Sequence, residues 1–166
     1  MVRYFLAVLF MGMLLLTSCN QRKTGTSEKP VVESGDRVST ASLKETLVDK
    51  GYQVFDYVDG KTGDTIIMQQ YFIAFLKSGP NRSQSKAEAD SLQGLHLAHL
   101  GRMYEEGYAD ISGPFGDEGE IRGITIYNTP TLEMADSLAR MDPMVEAGRL
   151  EIEIHPWWAA KGFGLR

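Results

Sequence analysis

Tyr71-Phe72-Ile73-Ala74-Phe75-Leu76 is an unbroken apolar run of strand length, the pattern of a strand covered on both faces rather than of an amphipathic helix. Gly79-Pro80-Asn81 breaks the run. From Ser85 to Glu106 the spacing turns helical, with Leu92, His96, Leu100 and Met103 on one side, and Gly107 ends the helix. A buried strand followed by a helix of this length sets the start of an α+β unit at Tyr71.

Reading toward the C-terminus, Tyr108 to Ser112 is a short strand, Gly113-Pro114 predicts a turn, and Gly116 to Glu120 is a polar loop. Ile121 to Tyr127 is a further strand. Thr129 or Thr131 caps a helix that runs to Met141, with Glu133 supporting its first turn. Leu150 to His155 alternates apolar and polar residues and forms the last strand. The order is βαββαβ, a ferredoxin-like antiparallel sheet with its helices on one face. The other face of so small a sheet is left open, and pairing two copies face to face would cover it, so a homodimer is expected.

Reading toward the N-terminus, Ser42-Leu43-Lys44-Glu45 has the form of a capping box for a helix from Leu43 to Asp49 that stops at Gly51. Tyr52 to Val58 alternates as a strand does, Asp59-Gly60 is a turn signal, and a second strand begins near Thr65. Residues 39–70 therefore form an N-terminal helix-hairpin extension on a main domain at 71–166. Residues 19–38 are rich in Ser, Thr, Gly and charge and read as a flexible tether.

Residues 1–18 read as an export signal. Arg3 supplies a positive charge, and Tyr4 to Leu16 is an apolar run interrupted only by Gly12, too short to span a bilayer as a helix. Leu16-Thr17-Ser18-Cys19 then resembles the bacterial lipobox: a leucine, two small residues and the cysteine that takes the lipid. That resemblance implies cleavage before Cys19, lipid on its sulfur, and a protein anchored to a membrane of the cell envelope. Each buried methylene contributes about 0.8 kcal/mol, so one acyl chain holds weakly and several hold stably. Cys19 is the only cysteine, which excludes an intrachain disulfide.

The chain carries a net charge of −5, and losing Arg3 with the signal leaves it more acidic still. That balance argues against a nucleic-acid partner, which would require a basic face. No HExxH pattern, phosphate loop or dinucleotide fingerprint is present, and no cofactor is expected. The three histidines are His96, His99 and His155. His96 and His99 have the i, i+3 spacing of a helical metal pair, but one pocket histidine and one packing histidine is the favoured reading, with no metal. His96 lies on the apolar stripe of its helix, where a histidine is more often a packed residue than a reactive one. Ser112-Gly113-Pro114-Phe115 offers a hydroxyl and backbone N–H groups at a strand end, and the helix returns the chain so that Ser112 comes near its face. Asp142 places an acid at a helix end shortly before Gly148 and the last strand.

Taken together, His96 on the helix, Ser112-Gly113-Pro114-Phe115 after the next strand, and Asp142-Pro143-x-Val145-x-Ala147-Gly148 after the second helix resemble the YCII-related family over Tyr71 to Trp158. The resemblance implies a ferredoxin-like fold, dimers with a barrel-like interface, and a pocket holding a His–Asp pair. Carried onto this chain, the histidine is His96 and the aspartate Asp142, with Gly113, Pro114 and Phe115 lining the pocket. No role transfers to His99. A carboxylate on one imidazole nitrogen leaves the other free to move a proton, and Ser112 with nearby backbone donors would stabilise developing negative charge. Some members resemble dehydrohalogenating lyases acting on aromatic compounds. The expected function is thus a membrane-anchored small-molecule lyase or hydrolase, with a non-catalytic ligand-binding or protein-interaction lipoprotein as the alternative. The signal, the 39–70 extension and the tail His155-Pro156-Trp157-Trp158 depart from a minimal family member.

Overall fold

A computed structural model describes residues 39–165 of the 166-residue chain. The signal segment, Cys19 and the whole of the 19–38 tether lie outside the described residues. Residues 39–165 belong to one compact unit. In chain order the elements are α1 (Thr40–Asp49), β1 (Val54–Val58), β2 (Thr65–Ser78), α2 (Lys86–Glu105), β3 (Ala109–Pro114), β4 (Ile121–Tyr127), α3 (Leu132–Arg140), α4 (Pro143–Glu146) and β5 (Leu150–Ala160).

The sheet is antiparallel throughout and organised on β2. One edge of β2 carries β5 from Met68 to Ser78. The other carries β4 from Phe72 to Lys77 and β1 from Thr65 to Gln69. With β3 outside β4, the strands β2 to β5 have the order β5-β2-β4-β3. This is the ferredoxin-like arrangement, with β1 added beside the first half of β2.

The apolar run that opens the main domain belongs to a single strand of 14 residues. No Gly or Pro interrupts Thr65–Ser78, so the boundary expected between Gln70 and Tyr71 falls inside β2 and separates nothing. Side chains alternate faces along a strand. Ile67, Gln69 and Tyr71 are buried on one face, and Phe72, Ala74 and Leu76 on the other. The switch between Tyr71 and Phe72 explains why the run is apolar at every position.

Helices α2, α3 and α4 cover the face of Phe72, Ala74 and Leu76. One cluster joins Phe72 and Ala74 to Met103, Ala109, Tyr127, Ala135 and Ala139, and a second joins Leu76 to Met144 and Leu150. Fully burying a side chain of this size contributes about 1.5–3 kcal/mol, so these two clusters fix the helices on the sheet. Helix α1 packs instead on β1 and the first half of β2, where Leu47 is buried and Lys44 pairs with Asp56. Its N-cap is Ser39, whose hydroxyl accepts from the Ser42 N–H, so the helix begins one turn before the expected capping box.

Two strand ends also depart from expectation. Gly113-Pro114 makes no turn: β3 runs through Pro114, and the Phe115 N–H still donates to the Arg122 carbonyl. β5 continues past His155 to Ala160 and includes Pro156. β5 is an edge strand, where proline's missing N–H costs no ladder bond. No helix among the described residues is long and apolar enough to cross a membrane.

Candidate functional site

Helix α2 presents the site. Ser85 and Glu88 form its capping box, the Ser85 N–H donating to the Glu88 carboxylate at 2.7 Å. From that fixed start, Gln93, His96, Leu97 and Leu100 follow at i, i+3, i+4 and i+7 and share one face. Opposite them, Asp142 closes α3 and caps α4, its Oδ1 accepting from the Met144 N–H at 2.9 Å.

The structure brings His96 and Asp142 together. Nδ1 of His96 lies 2.5 Å from Oδ2 of Asp142, and the two residues are 8% and 2% exposed. Each carboxylate oxygen thus has its own donor. A buried carboxylate accepting at Nδ1 places the proton there, and the neutral imidazole keeps a lone pair on Nε2. His96 also lines a cavity of about 350 Å³. The walls are Leu97 and Leu100 of α2, Leu76, Met144 and Leu150 below, and the Gly113-Pro114 and Gly123-Ile124 segments of β3 and β4. Gly123 permits the close approach of the last two: a Cβ there would sit 2.7 Å from the Gly113 carbonyl oxygen.

Three arginines complete the lining: Arg82 from the β2–α2 loop, Arg122 from β4 and Arg149 just before β5. None of the lining residues is acidic. Arg149 donates to the neutral Gln84 side chain at 3.1 Å. Arg122 donates to the Gly119 carbonyl at 3.1 Å and has only the exposed Glu118, 3.6 Å away, as a carboxylate neighbour.

Of the residues expected to line the pocket, Gly113 and Pro114 do so, whereas Ser112 and Phe115 do not. In the β3–β4 register Ser112 stands opposite Thr125, and its hydroxyl lies 3.0 Å from that of Thr125. The cavity opens two residues further along, at the Pro114–Gly123 pair. Because the expected turn is absent, the Phe115 side chain follows the strand outward and is 44% exposed. The Ser112 hydroxyl is thus engaged with Thr125 and does not line the cavity.

His99, one turn on, is buried without lining the cavity. Its Nδ1 accepts from Arg102 at 3.0 Å, and burial pushes its pKa below the usual histidine value against the opposing pull of Asp142. Burial, followed by the charge of Asp142, raises the Tyr127 phenol well above its ordinary range, so it stays protonated. His155 belongs to β5, where it pairs with Glu153 at 2.8 Å and meets the Phe75 ring. No cluster of three or more His, Cys, Asp or Glu able to hold a metal occurs among the described residues.

Sequence reasoning missed the three arginines. They stand alone in three separate loops or strand ends, and only the folded sheet end unites them. The one local signal was Arg149, which directly follows the glycine of the Asp142–Gly148 segment.

Fold and site define an α+β protein of the ferredoxin-like class with a buried histidine–carboxylate contact at a cavity wall. No protein-family model and no curated protein sequence matches the chain. Among solved structures it is similar to 5-chloro-2-hydroxyhydroquinone dehydrochlorinase from Burkholderia phenoliruptrix AC1100, in complex with 2,5-dihydroxybenzoquinone. The identity is 19%, the TM-score 0.41, and the match covers 52% of this chain and 92% of that one.

Proposed function

We propose that the cavity beside His96 is the active site of a small-molecule enzyme, a lyase or hydrolase whose central step is proton transfer. The observation that supports this is the Asp142 carboxylate, held by both oxygens and set against Nδ1 of a histidine whose ring forms part of a cavity wall. Asp142 is the positioning residue. It selects the tautomer, so Nε2 is the atom that removes a proton from a bound molecule and later returns it. The cavity volume suits a small organic ligand.

The test is solvent deuterium incorporation. A panel of hydroxylated aromatics, haloaromatics and oxo-acids is incubated with the protein in D₂O and followed by NMR. Exchange or elimination by wild type that is lost in His96→Gln is the expected result. Binding without turnover of any panel member would favour the alternative, a ligand-binding protein that uses the same cavity.

Two further readings belong to this proposal. The chain is anchored to a cell-envelope membrane by lipid on Cys19, so labelled fatty acid enters wild type and not Cys19→Ser. It also pairs with a second copy through the sheet face opposite α2 and α3. The support is the row of Ile73, Phe75, Ile111 and Ile124 on that face, which no helix among the described residues covers and which stays partly exposed. A compact monomer in sedimentation at micromolar concentration would remove this pairing.

A further inference from the structure

We infer that the cavity selects a small organic anion, holding its charged group on Arg82, Arg122 and Arg149 and its apolar part against Leu97 and Leu100. The inference rests on the reading of this cavity as a ligand site and adds the class of molecule it takes.

Charge bookkeeping is the first support. The chain is acidic overall, at −5, yet three guanidinium groups and His96 line one cavity that no carboxylate lines. Of the nearby acids, only the exposed Glu118 reaches the cluster, 3.6 Å from Arg122. Glu120 and Glu153 pair with Lys77, and Asp142 is spent on His96 and the Met144 N–H. Arg82 makes no hydrogen bond or ion pair among the described residues, and Arg149 has only a neutral amide. Clustered like charges repel, so the arrangement is stable in the presence of a counter-charge and costly without one.

The second support is that the cluster is built by the fold. The Gly79 N–H donates to the Arg149 carbonyl and the Asn81 N–H to the Gly148 carbonyl, both at 3.0 Å. The Asn81 side chain donates to the Ala147 carbonyl at 3.0 Å. These bonds fasten the Arg82 loop to the Arg149 segment. Gly79 makes the approach possible, because a Cβ there would lie 2.3 Å from the Gly148 oxygen. Arg122 reaches the same end of the sheet because β4 starts opposite the C-terminal end of β2, across an irregularity in the ladder at Leu76/Lys77. Arginine's planar fork grips a carboxylate by two parallel hydrogen bonds, which favours a flat oxyanion over a diffuse charge.

The probe pair is benzoate and its uncharged isostere benzamide, titrated calorimetrically into the full chain. The expected result is benzoate binding in the micromolar to low millimolar range, benzamide at least tenfold weaker, and a loss of about tenfold or more in Arg149→Gln. Arg82→Gln, on an exposed loop residue, gives a second variant that does not depend on packing. Equal binding of the two probes, unchanged benzoate affinity in both arginine variants, or no benzoate binding at 10 mM overturns the inference. The proton-transfer reading fails separately: benzoate that binds wild type and His96→Gln alike, with no deuterium exchange in any panel compound, leaves the anion site standing and removes the chemistry.

Discussion

The two halves of β2 bury opposite faces of one strand and serve different ends. The first half buries Ile67, Gln69 and Tyr71 under α1 and beside β1. Its surroundings are aromatic: Trp157 lies against Tyr71 and Trp158 against Phe55, while Lys161 sits 5.4 Å from the Tyr71 ring. Polar groups there pair largely among themselves, Tyr52 with the Asn128 carbonyl, the Gln69 amide N–H with the Asn128 side chain and Asn128 with Asp110, while the Gln69 Oε1 is buried without a partner. Burial, then Asp110 and Tyr52, push the Tyr71 phenol up to about 12, so it holds its proton at any physiological pH. The second half buries Phe72, Ala74 and Leu76 under α2 and α4 and ends at a cavity lined by three guanidinium groups and the His96 imidazole. A strand long enough to serve two cores lets one half pack against an aromatic and amide cluster while the other ends at a cavity of ligand size lined by arginines and an imidazole.

The largest effect should come from breaking the second half at its imidazole. His96→Gln is expected to lower any exchange activity by on the order of 100- to 10,000-fold while leaving the fold intact, since glutamine is polar and of similar size. Asp142→Asn separates orientation from support. Asparagine caps a helix about as well as aspartate, so α4 should survive, but an amide at Nδ1 no longer selects the tautomer. A loss of activity above about tenfold at unchanged thermal stability is expected. Collapse of the fold in both variants would mean that the contact is structural only.

Next in size is the fastening that assembles the cavity end. Gly79→Ala drives a Cβ into the backbone of both Gly148 and Arg149, neither of which can swing away as a side chain could. Overpacking of this kind costs about 1–3 kcal/mol. Separating the two segments should also weaken benzoate binding, and urea unfolding with calorimetry on the same preparation measures both. A stable protein that binds benzoate as wild type does would show that Arg82 and Arg149 need no such coupling. At the other end of β2, Trp158→Ala removes a half-buried ring from Phe55 and should cost about 1–2 kcal/mol with benzoate affinity unchanged. An altered affinity would join the two halves into one site and end the contrast between them.

The legible parts of this fold are those decided within a few residues. Ser85 with Glu88, Gly79 after β2, and Gly107 at a φ of +77° after α2 each mark an element boundary by local chemistry, and each lies where its residue type predicts. β4 spans Ile121–Tyr127 as its pattern suggests. Apart from the start of α1, which Ser39 caps locally, the departures are decided by partners distant in the chain. Pro156 reads as a strand end, yet β5 runs through it because Phe72 offers an edge position opposite. Gly113-Pro114 reads as a turn, yet Gly123 and Ile124 pair with it and keep the strand extended. His96 and Asp142 were legible as a pair only through a resemblance that united three motifs. Arg82 and Arg122 carry no local pattern and Arg149 only its place after Gly148, because the convergence of the three is a property of the sheet end alone.

The smallest effect separates two histidines on one helix. His99 is 3% exposed and neighbours Arg102, His96 and Asp142. Burial lowers its pKa first, Arg102 and His96 add to that, and Asp142 with the Leu138 carbonyl opposes it. The unfolded chain titrates this histidine near 6.5. Between that value and the lower folded one, the unfolded state binds the extra proton and the folded state does not. Stability therefore falls as pH drops below about 6.5 and stops falling, for this group, once the folded pKa is passed. His99→Gln removes the term, so its urea midpoint should change less between pH 7.5 and pH 5.5 than that of wild type. The comparison uses the slope rather than the absolute midpoint, because losing a buried ring shifts the whole curve. Carboxylates held below their usual values, such as Glu88 and Glu153, matter at lower pH and cancel between the two proteins. Parallel curves for wild type and His99→Gln would show that His99 takes its proton as readily folded as unfolded. The same helix would then carry a second histidine that burial does not hold neutral, and the assignment of proton transfer to His96 alone would have to be tested again with both changed.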